Sequence, residues 1–206
     1  MSIKLRSIKS ISLDVPDNCF LVVKSKTEKS RKDFLDLLGG YKRSRTGTII
    51  ISGYDISDLK HGEKVRFYRN EIGFIPEDFY LEPHLNIRDN LSLAGIFENL
   101  SKSDLNSRVK NIARKYQLTK ILKMKPEKIS DEEKRRVCIA RTCLMKPKVI
   151  LAYEPTKGLE PADAENTIEL IMKVAKDNEA ILIVSSDDEN VIKRADMEVD
   201  LSGEKK

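Results

Sequence analysis

Val149-Ile150-Leu151-Ala152 and Ala180-Ile181-Leu182-Ile183-Val184 are apolar at every position. A strand with one face in water alternates polar and apolar residues, whereas a continuously apolar one must be covered on both faces. The segment joining these runs, about Asp163–Lys176, has helical spacing. A strand, a helix and a second buried strand close as a parallel pair with a crossover connection. Cys19–Val23 is a third such run, and a helix follows it through Phe34–Leu38 to a stop at Gly39-Gly40. Thr48–Ile51 before Ser52-Gly53, and Ile72–Ile75 before Pro76, add two short strands. The pattern predicts an α/β chain built on a mostly parallel sheet with helices on both faces.

Residues 86–122 are charged and helical in pattern, with Leu91, Leu93, Ile96, Val109, Ile112 and Leu118 as the inward positions. They form the centre of an inserted α-helical subdomain expected over about residues 78–145. Residues 1–206 otherwise read as one domain, without a repeat, a low-complexity tract or a long linker. A hydrophobic fraction of 40% over 206 residues suffices for a full core. No apolar run reaches the roughly 18 residues of a membrane span, and the polar N-terminus does not read as a signal peptide, so a soluble chain is expected. Cys19, Cys138 and Cys143 lack metal-ligand spacing and sit among apolar residues, as core cysteines in a reducing compartment do. Basic residues cluster only at 24–32 and 134–136, and a net charge of +5 is modest, which argues against a nucleic-acid partner.

The most informative block is Ile129-Ser130-Asp131-Glu132-Glu133-Lys134-Arg135-Arg136-Val137-Cys138-Ile139-Ala140-Arg141, followed by Val149-Ile150-Leu151-Ala152-Tyr153-Glu154-Pro155-Thr156. It resembles the signature helix and Walker B strand of ATP-binding cassette (ABC) ATPases, where LSGGQ leads into a helix and an apolar strand ends in D-E-P-T. The resemblance runs from about Leu5 to Ile192. Gly53-Tyr54-Asp55-Ile56-Ser57-Asp58-Leu59, Ile72-Gly73-Phe74 and Phe79-Tyr80-Leu81-Glu82-Pro83 are most similar to the lipoprotein-release, macrolide-export and cell-division branch. It implies a P-loop NTPase-like (RecA-like) core, ATP with Mg²⁺ as cofactors, an integral membrane permease as partner and a second ABC domain as neighbour. The corresponding location is cytoplasmic, peripheral on the inner face of the cell membrane.

The residues that meet nucleotide in that family are changed here. A P-loop uses glycines to fold backbone N–H groups around phosphates, a Lys on the β/γ oxygens and a Ser or Thr on Mg²⁺. Ser25-Lys26-Thr27-Glu28-Lys29-Ser30-Arg31-Lys32-Asp33 occupies that stretch without a glycine. Side chains resist positive φ and fill the space a phosphate must enter. Arg31 takes the lysine place and Lys32 the Mg²⁺-ligating place, and the loop itself reads as a solvated basic segment. Tyr153 stands for the Walker B aspartate, while Glu154 keeps the glutamate that polarises water. Glu77 aligns with the Q-loop glutamine and Ser186 with the γ-phosphate-sensing histidine. Ser130 remains in the signature, followed by three carboxylates that repel phosphate and also suit a helix N-terminus. The extra N-terminal strand and adenine-stacking aromatic of the family have no counterpart in Ile3–Asp17, so the adenine platform is absent or supplied from elsewhere.

The candidate catalytic residues are therefore Glu154, Glu77 and Ser186. The candidate nucleotide contacts are Ser25, Lys29, Ser30, Arg31, Lys32, Asp33, Ser130 and Tyr153, with no metal ligand assigned. Three readings stay open: a degenerate cassette with weak or absent hydrolysis serving a membrane complex, an active ATP-hydrolysing transporter subunit, and a soluble interaction module. The concurrent departures at Lys32, Tyr153 and Ser186 favour the first and weigh against ATP and Mg²⁺, because residues acting as a unit leave no proportionate remainder. In a head-to-tail pair the basic loop would face Asp131, Glu132 and Glu133 of a second copy, which predicts a nucleotide-independent homodimer. The alternative is a heterodimer with an intact cassette.

Overall fold

The computed structural model describes residues 2–8, 11–44, 46–56, 58–96 and 100–203, with Ser57 outside them. In chain order these form β1 (Ile3–Ile8), β2 (Ile11–Val15), β3 (Phe20–Lys24), α1 (Glu28–Leu38), β4 (Thr48–Ile51), β5 (Tyr54–Asp55), α2 (His61–Glu71) and β6 (Ile72–Ile75). Then follow α3 (Ile87–Ile96), α4 (Lys102–Lys115), α5 (Asp131–Arg141), β7 (Val149–Tyr153), α6 (Pro161–Asp177), β8 (Ile181–Ser185), α7 (Glu189–Ile192) and β9 (Met197–Asp200).

The apolar runs become a five-stranded sheet in the order β6-β7-β8-β3-β9, parallel throughout. Side chains alternate between its faces with the period of two that a pleated strand imposes. Phe20, Val22, Ile150, Ala152, Leu182 and Val184 join a core with Val137 and Ile139 of α5 and Ile168 and Ile171 of α6. Leu21, Val23, Leu151, Ile181 and Ile183 face the other way, onto Phe34, Leu35 and Leu38 of α1. That second face is shared with an antiparallel sheet, β2-β1-β4-β5, whose Leu5 and Ile51 enter the same core. The sequence reading had no strand before Cys19. β2 alternates half-buried and exposed residues up to Val15, so it lacks the continuous apolar signature of the parallel strands.

Helices α3, α4 and α5 pack on one another beside the first face. Val109, Ile112 and Leu118 are buried as expected and Leu91 is fully so, but Leu93 is only half-buried and Ile96 is 57% exposed. Helical spacing marks a face, and the ends of that face extend past the neighbour it packs on. Gly95 lets α3 approach α4 closely, since a Cβ there would lie 2.6 Å from Leu105 Cδ1. All three cysteines are buried and free.

In an open parallel sheet, ligand sites gather beyond the carboxyl ends of neighbouring strands. Here the adjacent strands β7, β8 and β3 deliver Glu154, Ser186 and Ser25 to one such edge.

Candidate nucleotide site

The chain leaves β3 at Lys24 and enters α1 at Glu28, with only three residues between. Thr27 caps the helix, its Oγ1 accepting from the Ser30 N–H at 3.3 Å. Among the described residues, none from Ser25 to Asp33 has positive φ. Four residues of the expected solvated loop, Glu28, Lys29, Ser30 and Arg31, are therefore the first helical turn, and their N–H groups point along a helix axis rather than into a nest.

That turn places Arg31 inward, with 4% of its surface exposed. This corrects the reading of the basic segment as uniformly solvated. Arg31 Nε donates to Glu154 Oε1 at 2.5 Å, Nη1 to the Ser25 carbonyl at 2.7 Å and Nη2 to Asp187 Oδ2 at 3.3 Å. Glu154 is equally enclosed at 3% exposure and takes a left-handed φ of 43°. Its N–H is held by the Ser185 carbonyl at 3.1 Å and the Ser185 hydroxyl at 3.2 Å, which secures a conformation that non-glycine residues adopt at some cost. Burial pushes the Glu154 carboxyl above the usual range, and the Arg31 guanidinium opposes that shift.

Tyr153 ends β7 and points toward the start of α1. Its phenol donates to Glu28 Oε1 at 3.0 Å, and Lys157 Nζ meets Glu28 Oε2 at 2.9 Å. Lys157 also reaches Glu77 Oε1 at 3.0 Å, so one ammonium links α1, the segment after β7 and the segment after β6. Glu28 is held below the usual carboxylate range by Lys157 first and by Tyr153 second. The Tyr153 phenol is pushed up, mainly by burial and then by its bond to Glu28. Lys32 lies over the Tyr153 ring, 5.1 Å from its centroid, and 3.6 Å from Asp36.

The remaining candidates are dispersed. Ser186 is buried, its hydroxyl accepting from the Asp188 N–H at 3.1 Å. Asp33 pairs with Lys42, and Lys29 is exposed with no ion pair to a described residue. Ser130 stands at the start of α5, and its hydrogen bonds go to α5 rather than to this cluster. It caps α5 in a reciprocal box, Oγ accepting from the Glu133 N–H at 3.2 Å while Glu133 Oε2 accepts from the Ser130 N–H at 2.9 Å. Asp131 pairs with Lys134 at 2.7 Å and Glu132 with Arg136. Sequence reasoning singled out Arg31, Tyr153, Glu154 and Glu77. It passed over Lys157 and Asp187 and gave Glu28 no role, since nothing in local spacing shows that they meet.

The family model described as ABC transporter matches residues 33–157, more than half of the chain. The chain belongs to the ABC transporter family. It is 31% identical to ATP-binding protein HrtA of Staphylococcus epidermidis, over 97% of this chain and 90% of that one. It is 28% identical to the lipoprotein-releasing system ATP-binding protein LolD of Buchnera aphidicola, over 91% of this chain and 82% of that protein. Among solved structures, the ATP-binding cassette MJ0796, described as a dimer bound to ADP and Pi, superposes with a TM-score of 0.81 at 22% identity, covering 97% of this chain and 94% of that one. The cassette cbiO1 of Clostridium perfringens superposes at 0.82 with 19% identity, over 92% and 80% of the two chains. The expected P-loop NTPase-like fold is therefore present, in an ATP-binding domain of a membrane-transport family. No helix among the described residues is long and apolar enough to cross a membrane.

Proposed function

We propose that this cassette is a subunit of a membrane transport complex that acts by assembly, its nucleotide site closed by its own side chains. The buried Arg31–Glu154 pair carries the reading. The cation at the P-loop lysine position and the carboxylate at the Walker B glutamate position satisfy each other at 2.5 Å. Diverting Arg31 to a phosphate would leave Glu154 as an unpaired buried carboxylate, which costs roughly 3–5 kcal/mol. The neighbours point the same way. Tyr153 presents a phenol O–H where the family has a carboxylate, Lys32 brings a cation to the Mg²⁺ position, and α1 opens with the carboxylate of Glu28, a like charge to phosphate. These residues do not fit Mg²⁺–ATP.

The partners follow from the family. A membrane permease supplies the transport path, and a second cassette completes the assembly. The electrostatic case for a homodimer weakens, because several of the charges that would face a second copy already have partners. Lys24 is bound to Glu198, Arg31 to Glu154, Asp131 to Lys134 and Glu132 to Arg136, all within one chain.

Calorimetric titration with ATP, with and without Mg²⁺, alongside phosphate release and a Glu154→Gln control, tests the proposal. The expected result is no Mg²⁺-dependent binding at millimolar ATP and no release above the control. Mg²⁺-dependent binding with turnover lost in Glu154→Gln would establish an active ATPase instead. Co-purification with an integral membrane protein separates the transport subunit from a free-standing interaction module.

A further inference from the structure

Residues 86–128, which build α3, α4 and the turns leading to α5, hold ten basic and four acidic side chains, a net charge of +6. The whole chain carries +5, so everything outside this stretch is close to neutral. The basic residues are spaced rather than run together, and it is the fold that gathers them. Lys102, Asn106, Lys110 and Arg114 recur every four residues on α4 and are all exposed, as one outer stripe of a helix is. Arg88 of α3 ties that stripe to the turns beyond α4. Its Nη2 donates to Asn106 Oδ1 at 2.6 Å, and its backbone N–H to the Leu122 carbonyl at 3.0 Å. Those turns add Lys120, Lys123, Lys125 and Lys128, again all exposed.

Little within the molecule balances this surface. Among the described residues of the stretch, Lys115 alone of the cations has a carboxylate partner, Asp177 of α6 at 3.1 Å. Arg108 turns inward to the Leu144 carbonyl at 3.0 Å. Eight cations are left outside, against the carboxylates of Asp89, Asp104 and Glu127, while Glu98 lies outside the described residues. The acids that open α5 are taken on their own helix, Asp131 by Lys134 and Glu132 by Arg136. One apolar side chain, Met124, stands 38% exposed between Lys123 and Lys125.

We infer that this face of α3, α4 and the turns after them docks on an anionic membrane surface, its lysines among the lipid headgroups and Met124 at their centre. Six of the eight cations are lysines, mobile point charges that suit the diffuse field of a headgroup layer, where an arginine fork suits a single oxyanion. Clusters of about four to eight basic residues hold proteins on anionic leaflets, each residue strengthening binding about fivefold. Tyr116, the one aromatic among the described residues of the stretch, is buried, so it offers no ring for nucleic-acid bases to stack on. The contact requires neither the Arg31–Glu154 cluster nor a permease. It gives the chain a membrane attachment of its own, beside the assembly role proposed above.

Flotation of the full chain with lipid vesicles tests the inference. Binding is expected to vesicles of about two parts phosphatidylcholine to one of phosphatidylglycerol and not to phosphatidylcholine alone, and it should weaken as salt is raised. The variant Lys110→Gln/Lys123→Gln/Lys125→Gln should bind at least about tenfold more weakly. Lys4→Gln/Lys148→Gln/Lys193→Gln removes the same charge from exposed positions on β1, before β7 and after α7, and should keep most of the affinity. All six lysines are exposed, so both variants should retain the wild-type Tm. Four results would overturn the inference: no binding to the anionic vesicles, equal binding to both kinds of vesicle, two variants that bind alike, or a short single-stranded RNA that displaces the anionic vesicles and is itself lost by the first variant, which would assign the face to nucleic acid.

Discussion

Helices α1 and α5 both begin with a capped N-terminus, the kind of helix start that ordinarily favours an anion, and both carry acid side chains of their own in the first turn. The likeness ends at the partners. At α5 the acids are satisfied locally, Glu133 by the Ser130 cap, Asp131 by Lys134 and Glu132 by Arg136. At α1 they are satisfied across the fold: Glu28 bonds Tyr153 and Lys157, and Arg31, one turn on, is buried against Glu154. A local substitution can be undone by one change on one helix. A substitution tied into three separate segments resists that, because its buried members, Arg31 and Glu154 above all, would be left unpaired.

Arg31→Ala gives the largest expected effect, a loss of about 3–5 kcal/mol in chemical denaturation, because Glu154 would remain as a buried unpaired charge. Pairing it with Glu154→Leu should recover a substantial part of that loss. A double mutant no more stable than Arg31→Ala would show that the ion pair is not what makes the region rigid. Ser130→Ala is expected to cost about 1 kcal/mol through loss of the cap. Tyr153→Phe should cost about 0.5–1.5 kcal/mol, the usual worth of one hydrogen bond, and should leave the α5 region untouched in amide exchange. Equal protection changes at both helices would break the distinction drawn between them.

Acid sharpens the comparison further. Glu28 has its carboxyl lowered by Lys157 and Tyr153, so the stability it contributes is full above the ordinary carboxylate range and is lost as pH falls through its lowered value. Wild type should therefore lose more stability than Glu28→Gln on acidification below that range, and salt should reduce the difference, since the groups are exposed. The smallest effect is expected for Glu132→Gln. Its pair with Arg136 spans one turn of an exposed helix face, where such pairs contribute about 0.3–0.5 kcal/mol.

Some of this was legible in advance because its cause is local. The unbroken apolar runs at 149–152 and 180–184 could only be interior strands, and they are β7 and β8. The Ser130-x-x-Glu133 spacing of a capping box was also in plain view, although the carboxylates there were read as repelling phosphate, complementing the helix dipole and facing a second copy rather than as part of a cap. Elements without a sharp local pattern were not legible. α2 has no buried residue, so its sequence carries no inward stripe to detect. β9 alternates half-buried and exposed residues at the margin of the sheet. Ile96 showed the opposite failure, since its spacing placed it on the inward face but it stays 57% exposed.

By itself the sequence determined that this chain builds a parallel α/β cassette and that no glycine opens its phosphate loop, because strand burial and backbone φ preference are properties of residues and their immediate neighbours. Only the tertiary structure decided what the replaced side chains do. Arg31 and Glu154 lie 123 positions apart and meet because β3, β8 and β7 are adjacent in the sheet. Lys157 reaches Glu28 and Glu77 for the same reason. Charge complementarity at such distances depends on strand order, which no local pattern encodes.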